Sequence, residues 1–591
     1  MNGAGIYLKG GIVENYGTIN VSGGAKKEND LSNQPTTKVI PGSNVEINAP
    51  SGALTATIKV NNIPVTPATV TTPSVLSGVI GSAVHISSSE TTPATVTTIQ
   101  KPISVSASSI GLYVNTSGTN YTNAITNLGE ITSEADLILG NEITQSTNSK
   151  YIHIDGDSKI LEQYNKAISD TANRNVAWNI YSGSLTWMGT VTIDQSNGVK
   201  IANVYLAKIP YTQWSSNSKE TPVNKTDTYN FTDGLEQRYG VDALGSRENQ
   251  LFDKLNSIGN NEEILLYQAF DEMMGHQYGN VQQRIYSTGS MLDKEFTYLQ
   301  KDWRNPTKRN NKIKVFGMKD EYKTDTAGII DYTSNSYGVA YVHENERIKM
   351  GNSSGWYAGA VTNKFKFKDI GKSEETQNII KAGIFKTMSP KKDYNGALQW
   401  TISGDVFAGT NEMKRNFLVV DEIFNAEANY SSYGAALKNE IGYNVRLSER
   451  MHLKPYGALK MEYGKFSDIK EDRGEMRLEI EGNDYFSVKP EVGMEFKYVQ
   501  PLAVKTNLSV GLTAAYENEL GKVGDVNNRG RVRYTTADWF GIRGEKEDRR
   551  GSGKFDLNIG VDNTRFGVTV NAGYDTKGKN ARGGIGFRAI Y

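Results

Sequence analysis

Four groups of residues have types that could do chemistry: three lack the spacing that the chemistry needs, and the fourth lies in the wrong structural context. The histidines are scattered along the chain without the spacing of a metal motif, at His85, His153, His276, His343 and His452. Gly551-Ser-Gly-Lys554 lacks the earlier glycine of a phosphate-binding loop. Asp155-Gly-Asp157 lacks the further oxygen ligands of a calcium loop.

Gly351-Asn-Ser-Ser-Gly355 matches the Gly-x-Ser-x-Gly nucleophile pattern by letter. That nucleophile needs a turn from a strand into a helix, whereas this segment lies between two predicted strands. The sequence therefore predicts no catalytic residue, no cofactor and no metal ion, and the chain is not expected to be an enzyme.

Composition narrows the class of protein. The 591 residues carry 65 basic and 65 acidic side chains, so the chain has no net positive charge that would favour binding of nucleic acid. The absence of cysteine excludes disulfides and thiolate sites, and the 59 glycines and 32 tyrosines suit a β-rich chain. We find no apolar run long enough for a membrane helix. The first residues do not form a signal peptide, so we expect the C-terminal piece of a longer precursor.

From residue 311 to Tyr591, apolar and polar residues alternate along most of the chain, as in 486–498 and 504–516. Alternation alone also fits a soluble sheet with one wet face. Two features favour a membrane barrel instead: the strands are longer than the usual five or six residues, and Tyr and Trp frame the apolar faces. Twelve strands are predicted, beginning near 313, 336, 356, 378, 397, 433, 452, 485, 503, 554, 565 and 581.

The predicted connections alternate between long and short. Outer-membrane barrels have this pattern because their external loops are long and their periplasmic turns are short. The long ones are 409–432, 466–484 and 518–553. The short ones are 389–396, 448–451, 500–502 and 563–564. The turn around 345–355 is the least defined.

Charged residues on the alternating strands must face inward, because a lysine at the bilayer midplane costs about 2–4 kcal/mol. The predicted lumen-lining residues are Lys438, Glu440, Arg446, Lys489, Glu491, Glu495, Lys497 and Lys505. At the end of the chain Tyr591, Phe587 and Ile585 share the other face. A terminal aromatic residue on such a strand is interpreted as a barrel-assembly signal.

Residues 226–310 read as helical, and the last helix, 276–302, is polar on nearly every side. At 1.5 Å per residue it is roughly 40 Å long, enough to span a bilayer. A helix that is polar all round and this long suits a water-lined pore.

Residues 1–150 are rich in Ser and Thr and contain degenerate repeats. Gly5-Ile-Tyr-Leu8 is echoed by Gly111-Leu-Tyr-Val114, and Pro-Ala-Thr-Val-Thr-Thr occurs at 67–72 and 93–98. Such repeats favour the end of a parallel β-helix, with an irregular insertion around 25–100. A flexible Ser/Thr-rich stalk is the alternative. The aromatic strands within 151–225 are expected to cap the β-helix.

The segment Leu265-Leu-Tyr-Gln-Ala-Phe-Asp-Glu-Met-Met-Gly275, then Gly279-Asn-Val-Gln-Gln283 and the polar helix, precedes the barrel and Tyr591. This order resembles autotransporters of the classical type V secretion class, most of all the large fusobacterial-type adhesins. The resemblance implies an all-β protein with a twelve-stranded antiparallel transmembrane barrel (311–591). It also implies a pore helix in the lumen and an exported part, the passenger, that ends in a β-helix (1–150) with an autochaperone-like cap (151–225).

The resemblance also implies function. The barrel would lie in the outer membrane as a monomer, and would export and anchor its own passenger, an adhesin on the cell surface. Expected partners are outer-membrane lipid, the β-barrel assembly machinery, periplasmic chaperones and a host or bacterial surface receptor, without nucleic acid. Self-cleaving relatives use an Asn within the helix. Here Asn280 lies only near its start, so the passenger is expected to stay attached. A secreted enzymatic passenger and a helix-gated, porin-like channel remain alternatives.

Overall fold

The structure, a computed structural model, describes residues 7–10, 105–117, 128–168, 177–194, 196, 200–216, 224–301, 310–326, 328–347, 352–391, 393–524, 526–546, 549–563 and 565–590. The predicted insertion at 25–100 and Tyr591 lie outside these residues. The chain divides into two compact units. The first comprises Met1–Trp214 and Arg238–Gln268, and the second comprises Ser215–Gln237 and Ala269–Tyr591.

Five α-helices lie in the described part of the chain: α1 (Lys159–Ile168), α2 (Lys225–Arg238), α3 (Arg247–Asn256), α4 (Glu263–Met273) and α5 (Val281–Lys301). A short 3-10 helix, His276–Asn280, leads directly into α5. The predicted helix 276–302 is thus this turn followed by α5. None of these helices has the length and hydrophobicity needed to cross a bilayer.

Seven of the strands in the described part of the chain belong to the first unit. They are β1 (Tyr7–Gly10), β2 (Val105–Val114), β3 (Leu128–Leu139), β4 (Tyr151–Asp155), β5 (Ala177–Ser182), β6 (Trp187–Asp194) and β7 (Lys200–Lys208). β2, β3 and β5 pair in parallel, which brings Leu112, Leu137 and Ile180 into register. A second, antiparallel sheet has the order β4-β7-β6. Parallel strands with aligned apolar residues are the stacking unit of a solenoid.

The second unit contains the remaining strands. They are β8 (Asn310–Tyr322), β9 (Tyr332–Arg347), β10 (Asn352–Phe367), β11 (Glu374–Met388), β12 (Gly396–Val419), β13 (Glu422–Arg446), β14 (Met451–Phe466), β15 (Ile469–Gly474), β16 (Leu478–Ile480), β17 (Asp484–Ala503), β18 (Thr506–Glu517), β19 (Asn528–Val532), β20 (Phe540–Ile542), β21 (Ser552–Asn563), β22 (Phe566–Asp575) and β23 (Asn580–Ile590). Twelve of them, all except β15, β16, β19 and β20, form a closed antiparallel barrel. β23 closes it on β8, with Ala581 opposite Lys319.

The period of two along each strand decides which side chains face the lumen. In β8, Val315 is 53% exposed, whereas the neighbouring Lys314 is 1% exposed in the interior. The two longest connections, 467–483 and 518–551, lie at one end of the barrel, which we call the loop end. The turn end carries short connections such as 447–450 and 504–505.

The prediction of twelve strands is confirmed, but the long loop predicted at 409–432 is wrong. β12 and β13 pair without interruption up to Val419 opposite Glu422, and only residues 420–421 form the turn. Beyond the bilayer, the outward face carries polar residues such as Glu412 and Lys414, whereas Met413 and Phe417 are buried inside. The apolar face is therefore inverted relative to the membrane strands, and for this reason the sequence pattern favours a loop here.

The turn predicted at 500–502 is also displaced. Pro501 pairs with Asn507 within the sheet, and the chain turns at Val504 and Lys505, where Lys505 has φ 62°. The proline suggested a strand break, but it is tolerated close to the end of β17, next to an irregularity in the register.

The lumen as the candidate functional site

α5 lies inside the barrel, and its two ends identify its direction. Before the helix, the Gln277 amide donates to Asp369 at the loop end, over 2.9 Å. Near the C-terminus of α5, the Lys312 ammonium donates to the Leu299 carbonyl over 2.7 Å. Lys312 is near the start of β8, at the turn end. The helix therefore runs from the loop end to the turn end over about 32 Å for its 21 residues.

The first half of α5 is held by a buried ion pair between Arg284 and Glu375 of β11, both fully buried. The Tyr430 hydroxyl donates to the same carboxylate. One turn further along the helix, the Thr288 hydroxyl donates to Gln377 over 2.7 Å, and the Gln377 amide donates to Glu375 over 2.9 Å. Helix and wall thus share one hydrogen-bonded network.

The middle of α5 carries a group that we call the central cluster: Asp293, Lys381, Asp405, Lys460 and Glu462. The ammonium of Lys381 lies 2.6 Å from Asp293, 3.2 Å from Asp405 and 3.4 Å from Glu462. Lys460 contacts Asp293 and lies 2.5 Å from Glu462. Asp293 thus joins the helix to β11 and β14 at once.

Two further ion pairs hold the second half of the helix. Glu295 pairs with Lys314 of β8, and both side chains are 1% exposed. The Lys294 ammonium lies 2.5 Å from Asp575 of β22, and Asp575 also accepts from Arg582 over 2.7 Å. Charges of α5 are therefore paired with strands on different sides of the lumen.

These pairs specify a position more than they stabilise the fold. When two charges are buried as a pair, their attraction roughly offsets the hydration that they lose. Removing one partner leaves the other charge buried alone and typically costs about 3–5 kcal/mol. Among the described residues no group of three or more His, Asp and Glu side chains could hold a metal ion. The lumen can therefore hold one helix in a single register.

α5 packs against β8–β11 and leaves a cavity of about 130 Å³ toward β14, β17, β18 and β21. Five of the predicted lumen residues line it, namely Lys438, Lys489, Glu491, Glu495 and Lys497. The Lys489 ammonium lies 3.3 Å from Glu517, and Glu491 lies 3.0 Å from Lys554. Lys438 donates to Thr297 of the helix over 3.3 Å.

The other predicted lumen residues lie nearer the turn end. Glu440 is buried and lies 2.9 Å from the Lys454 ammonium. The guanidinium of Arg446 lies 4.7 Å from the centre of the Tyr394 ring. Lys505 does not lie in a strand: it is exposed in the turn after β17.

Sequence reasoning missed the residues that hold the helix most directly: Arg284, Glu375, Lys381 and Lys460. The signal for Lys381 was a lone lysine after Ile379 and Ile380 in an otherwise apolar run. Its partners come from β12, β14 and α5, so only the strand register brings them together.

On the outer surface of β23, Ile585 is 45% and Phe587 51% exposed, and they alternate with the buried Arg582 and Arg588. This is the face on which the predicted assembly signal lies. Tyr591 itself is outside the described residues.

At the loop end, the sheet continues from β13 through β15, β16 and β19 to β20. Its inner face packs on α2: the Phe231 and Phe540 rings meet edge to face at 5.5 Å, and the Asp227 carboxylate accepts from the Gly541 amide over 2.7 Å. α2 is thus docked on the long connections at the loop end of the barrel.

A buried arginine ties the same connections to the entrance of α5. Arg415 of β12 donates to both carboxylate oxygens of Glu471, over 2.7 and 2.8 Å, and to the Met476 carbonyl. The Tyr278 hydroxyl donates to Glu471 over 2.9 Å. The chain that enters the lumen is therefore fixed at the loop end.

Residues 313–573 match the family model described as the autotransporter beta-domain. Solved structures similar to this chain include three autotransporter domains. The translocator domain of autotransporter NalP from Neisseria meningitidis has 13% identity and a TM-score of 0.40, covering 52% of this chain and 96% of that chain. The transport unit of autotransporter AIDA-I from Escherichia coli has 13% identity and a TM-score of 0.37, with 51% and 98% covered. The beta domain of the Bordetella autotransporter BrkA has 11% identity and a TM-score of 0.35, with 48% and 100% covered.

No curated protein matches the chain significantly. The family match and the closed barrel confirm the predicted fold, a twelve-stranded antiparallel barrel preceded by a helix. They also confirm the predicted localisation, with the barrel in the outer membrane and the passenger on the cell surface.

Proposed function

We propose that this chain, whose residues 313–573 match the autotransporter β-domain model, exports its own passenger and keeps it anchored through α5. The observation that supports this most is the direction of the helix. α5 enters the lumen at the loop end and leaves it at the turn end, next to the start of β8.

Long connections of outer-membrane barrels are external and short ones are periplasmic. The chain before α5 therefore continues from the external end of the lumen, although the barrel itself begins at the periplasmic end. A chain made in the cytoplasm reaches this arrangement only if its upstream part has passed the outer membrane. Passage of that part through, or alongside, the barrel is the proposed activity.

Anchoring is the second part of the proposal. Ion pairs at Arg284, Asp293, Lys294 and Glu295 would all have to break together for α5 to leave the lumen. We therefore propose that the passenger stays attached. The bias for export would come from folding outside, for which the parallel pairing of β2, β3 and β5 offers a stacking template.

The proposed passenger activity is adhesion to host or bacterial surfaces. The support is the repetitive sequence of residues 1–150, the resemblance to fusobacterial-type adhesins, and the lack of a catalytic arrangement in the sequence. The same reasoning proposes the β-barrel assembly machinery and periplasmic chaperones as partners during insertion.

Surface display tests the export proposal. Antibodies to residues 128–168 are expected to bind intact cells that make the full chain. A chain that ends at Asp562 lacks β22 and β23, cannot close its barrel, and should give no signal on intact cells. Antibodies should still detect it in lysed cells. Undiminished display by the truncated chain would overturn the proposal.

Adhesion is tested separately on the displaying cells. Binding to host-cell layers and to other bacteria should fall when an external protease removes the antibody signal. Cells that display the chain but adhere no better than cells without it would overturn the adhesin proposal and leave export intact.

A further inference from the structure

The lipid-facing surface of β8, β9 and β10 carries two unusual lysines near the loop end. Lys319 lies opposite Asn335, and Asn335 lies opposite Lys364, so the three outward residues form one row across adjacent strands. All three are exposed. Two interstrand spacings place the lysine backbones about 10 Å apart, so both ammonium groups can reach a single anion above Asn335.

Five other lysines at this end have carboxylate partners. These pairs are Lys323, Lys368 and Lys579 with Glu321, Lys366 with Glu374, and Lys414 with Glu427, all within 4.0 Å. Lys319 and Lys364 form no ion pair within the described part of the chain. The nearest acidic residue along their row, Glu412, lies two strands beyond Lys364. The row therefore carries an uncompensated charge.

The outward residues on the turn-end side of the row show where the row lies relative to the bilayer. Two positions toward the turn end, Tyr337 is 58% exposed between Gly317 and Thr362. Two positions further, the outward residues are apolar, with Val315 53% and Val339 36% exposed. Interfacial tyrosines lie at the headgroup level. Four residues along a strand tilted about 40° rise roughly 10 Å, which places the lysines at the headgroups of the outer leaflet.

We infer that Lys319, Asn335 and Lys364 bind the phosphate of a phosphorylated lipid in the outer leaflet of the outer membrane. Two ammonium groups neutralise a phosphate monoester, and the Asn335 amide between them supplies a further donor. The acyl chains of the same lipid would lie on Tyr337, Val339 and Val315. The site adjoins the β8–β23 junction, where the first and last strands close the barrel. The inference rests on the outer-membrane location and not on the proposed export.

The test uses the full chain in phosphatidylcholine nanodiscs containing diphosphoryl lipid A. Native mass spectrometry counts the lipid retained, and a titration gives its apparent Kd. The variant Lys319→Gln/Lys364→Gln should bind about thirtyfold more weakly, since each of the two basic residues near a lipid headgroup contributes ~1 kcal/mol. The control Lys414→Gln/Lys465→Gln removes the same charge elsewhere on the rim and should bind within about twofold of the unchanged chain.

Three outcomes would overturn the inference. Equal weakening by both double variants would show non-specific attraction. Equal binding of lipid A whose phosphates have been removed would show that phosphate is not recognised. Displacement of the lipid by inorganic phosphate at the same concentration would assign the site to the free ion. Retention of the heat-resistant, fast-migrating form on gels establishes that each variant is folded, and the two single variants should bind with intermediate strength.

Discussion

Asp293 of α5 lies 2.6 Å from the ammonium of Lys381 and also contacts Lys460, so one helix carboxylate holds two lysines of the barrel wall. These lysines belong to β11 and β14, which β12 and β13 separate along the wall. A single side chain in the helix therefore links parts of the barrel that are not neighbours. The register of the whole helix follows from this link.

Charge balance in the central cluster predicts unequal effects of two substitutions. Asp293, Asp405 and Glu462 are three carboxylates that face only two ammonium groups, Lys381 and Lys460. Lys381→Met leaves three carboxylates with one lysine and should destabilise the barrel by about 3–5 kcal/mol. Asp293→Asn leaves two carboxylates with two lysines, so it should loosen the helix but destabilise the barrel far less.

The midpoint of heat unfolding on gels measures both variants. Ser290→Ala is the matched control in the same helix, since its hydroxyl donates to the Ser287 carbonyl of α5 itself, over 2.8 Å. Equal midpoints for Lys381→Met and Ser290→Ala would contradict the assigned role of the cluster.

Conductance distinguishes a plugged translocator from an open channel. With α5 in place, the cavity described beside the helix measures about 130 Å³, so current steps in a planar bilayer should be small. Deletion of Val281–Lys301 should give steps several times larger, and Ser290→Ala should leave them unchanged. Large steps from the intact chain would favour a porin-like channel.

Two helix glycines should respond in opposite ways to alanine. A Cβ on Gly234 of α2 would lie 2.6 Å from the Val532 side chain, whereas a Cβ on Gly289 of α5 would meet nothing closer than Glu462 at 3.9 Å. Gly289→Ala should be neutral or stabilise the protein by about 0.5–1 kcal/mol, because alanine loses less entropy in a helix. Gly234→Ala should loosen α2 from β19.

Hydrogen exchange of α2 peptides measures this loosening. Exchange in α2 should be faster in Gly234→Ala and unchanged in Gly289→Ala. The opposite order would mean that α2 does not dock on the loop-end sheet as described.

The first unit should lose stability as the pH rises. Burial raises the pKa of Asp253 in α3 from 3.8 to about 6. A raised pKa means that folding favours the protonated acid, so there is no penalty below pH 4 and the full penalty above pH 6. Resistance of the first unit to protease should therefore fall between these values. Asp253→Asn should remove the dependence, and Glu263→Gln, at an exposed position, should not.

The sequence predicted the barrel well where the bilayer constrains it. Lipid requires apolar residues on one face of each strand only. The alternation around Val315 therefore predicts both that the segment is a strand and which of its side chains face the lipid. Above the bilayer this constraint ends, and the apolar residues Met413, Phe417 and Phe424 turn inward, so that the hairpin of β12 and β13 was missed.

The candidate site was only partly accessible from the sequence. Inward charge at Lys489 and Glu491 follows from alternation within one strand. The contact of Asp293 with Lys381 depends on the register of β11 and on the rotation of α5 within the lumen. Neither is encoded in a local pattern, because both are set by packing across the barrel.

Cross-linking in the outer membrane tests the central claim, that α5 occupies the lumen, most directly. The chain has no cysteine, so a pair of introduced cysteines provides the only thiols of the chain with which the cross-linker can react. The Ser287 hydroxyl donates to Asp320 over 3.0 Å, whereas Glu321, the next residue of β8, faces outward. A short bis-maleimide should join Ser287→Cys to Asp320→Cys in intact cells and should not join Ser287→Cys to Glu321→Cys. Absence of the first cross-link, or equal yields for both pairs, would contradict the account.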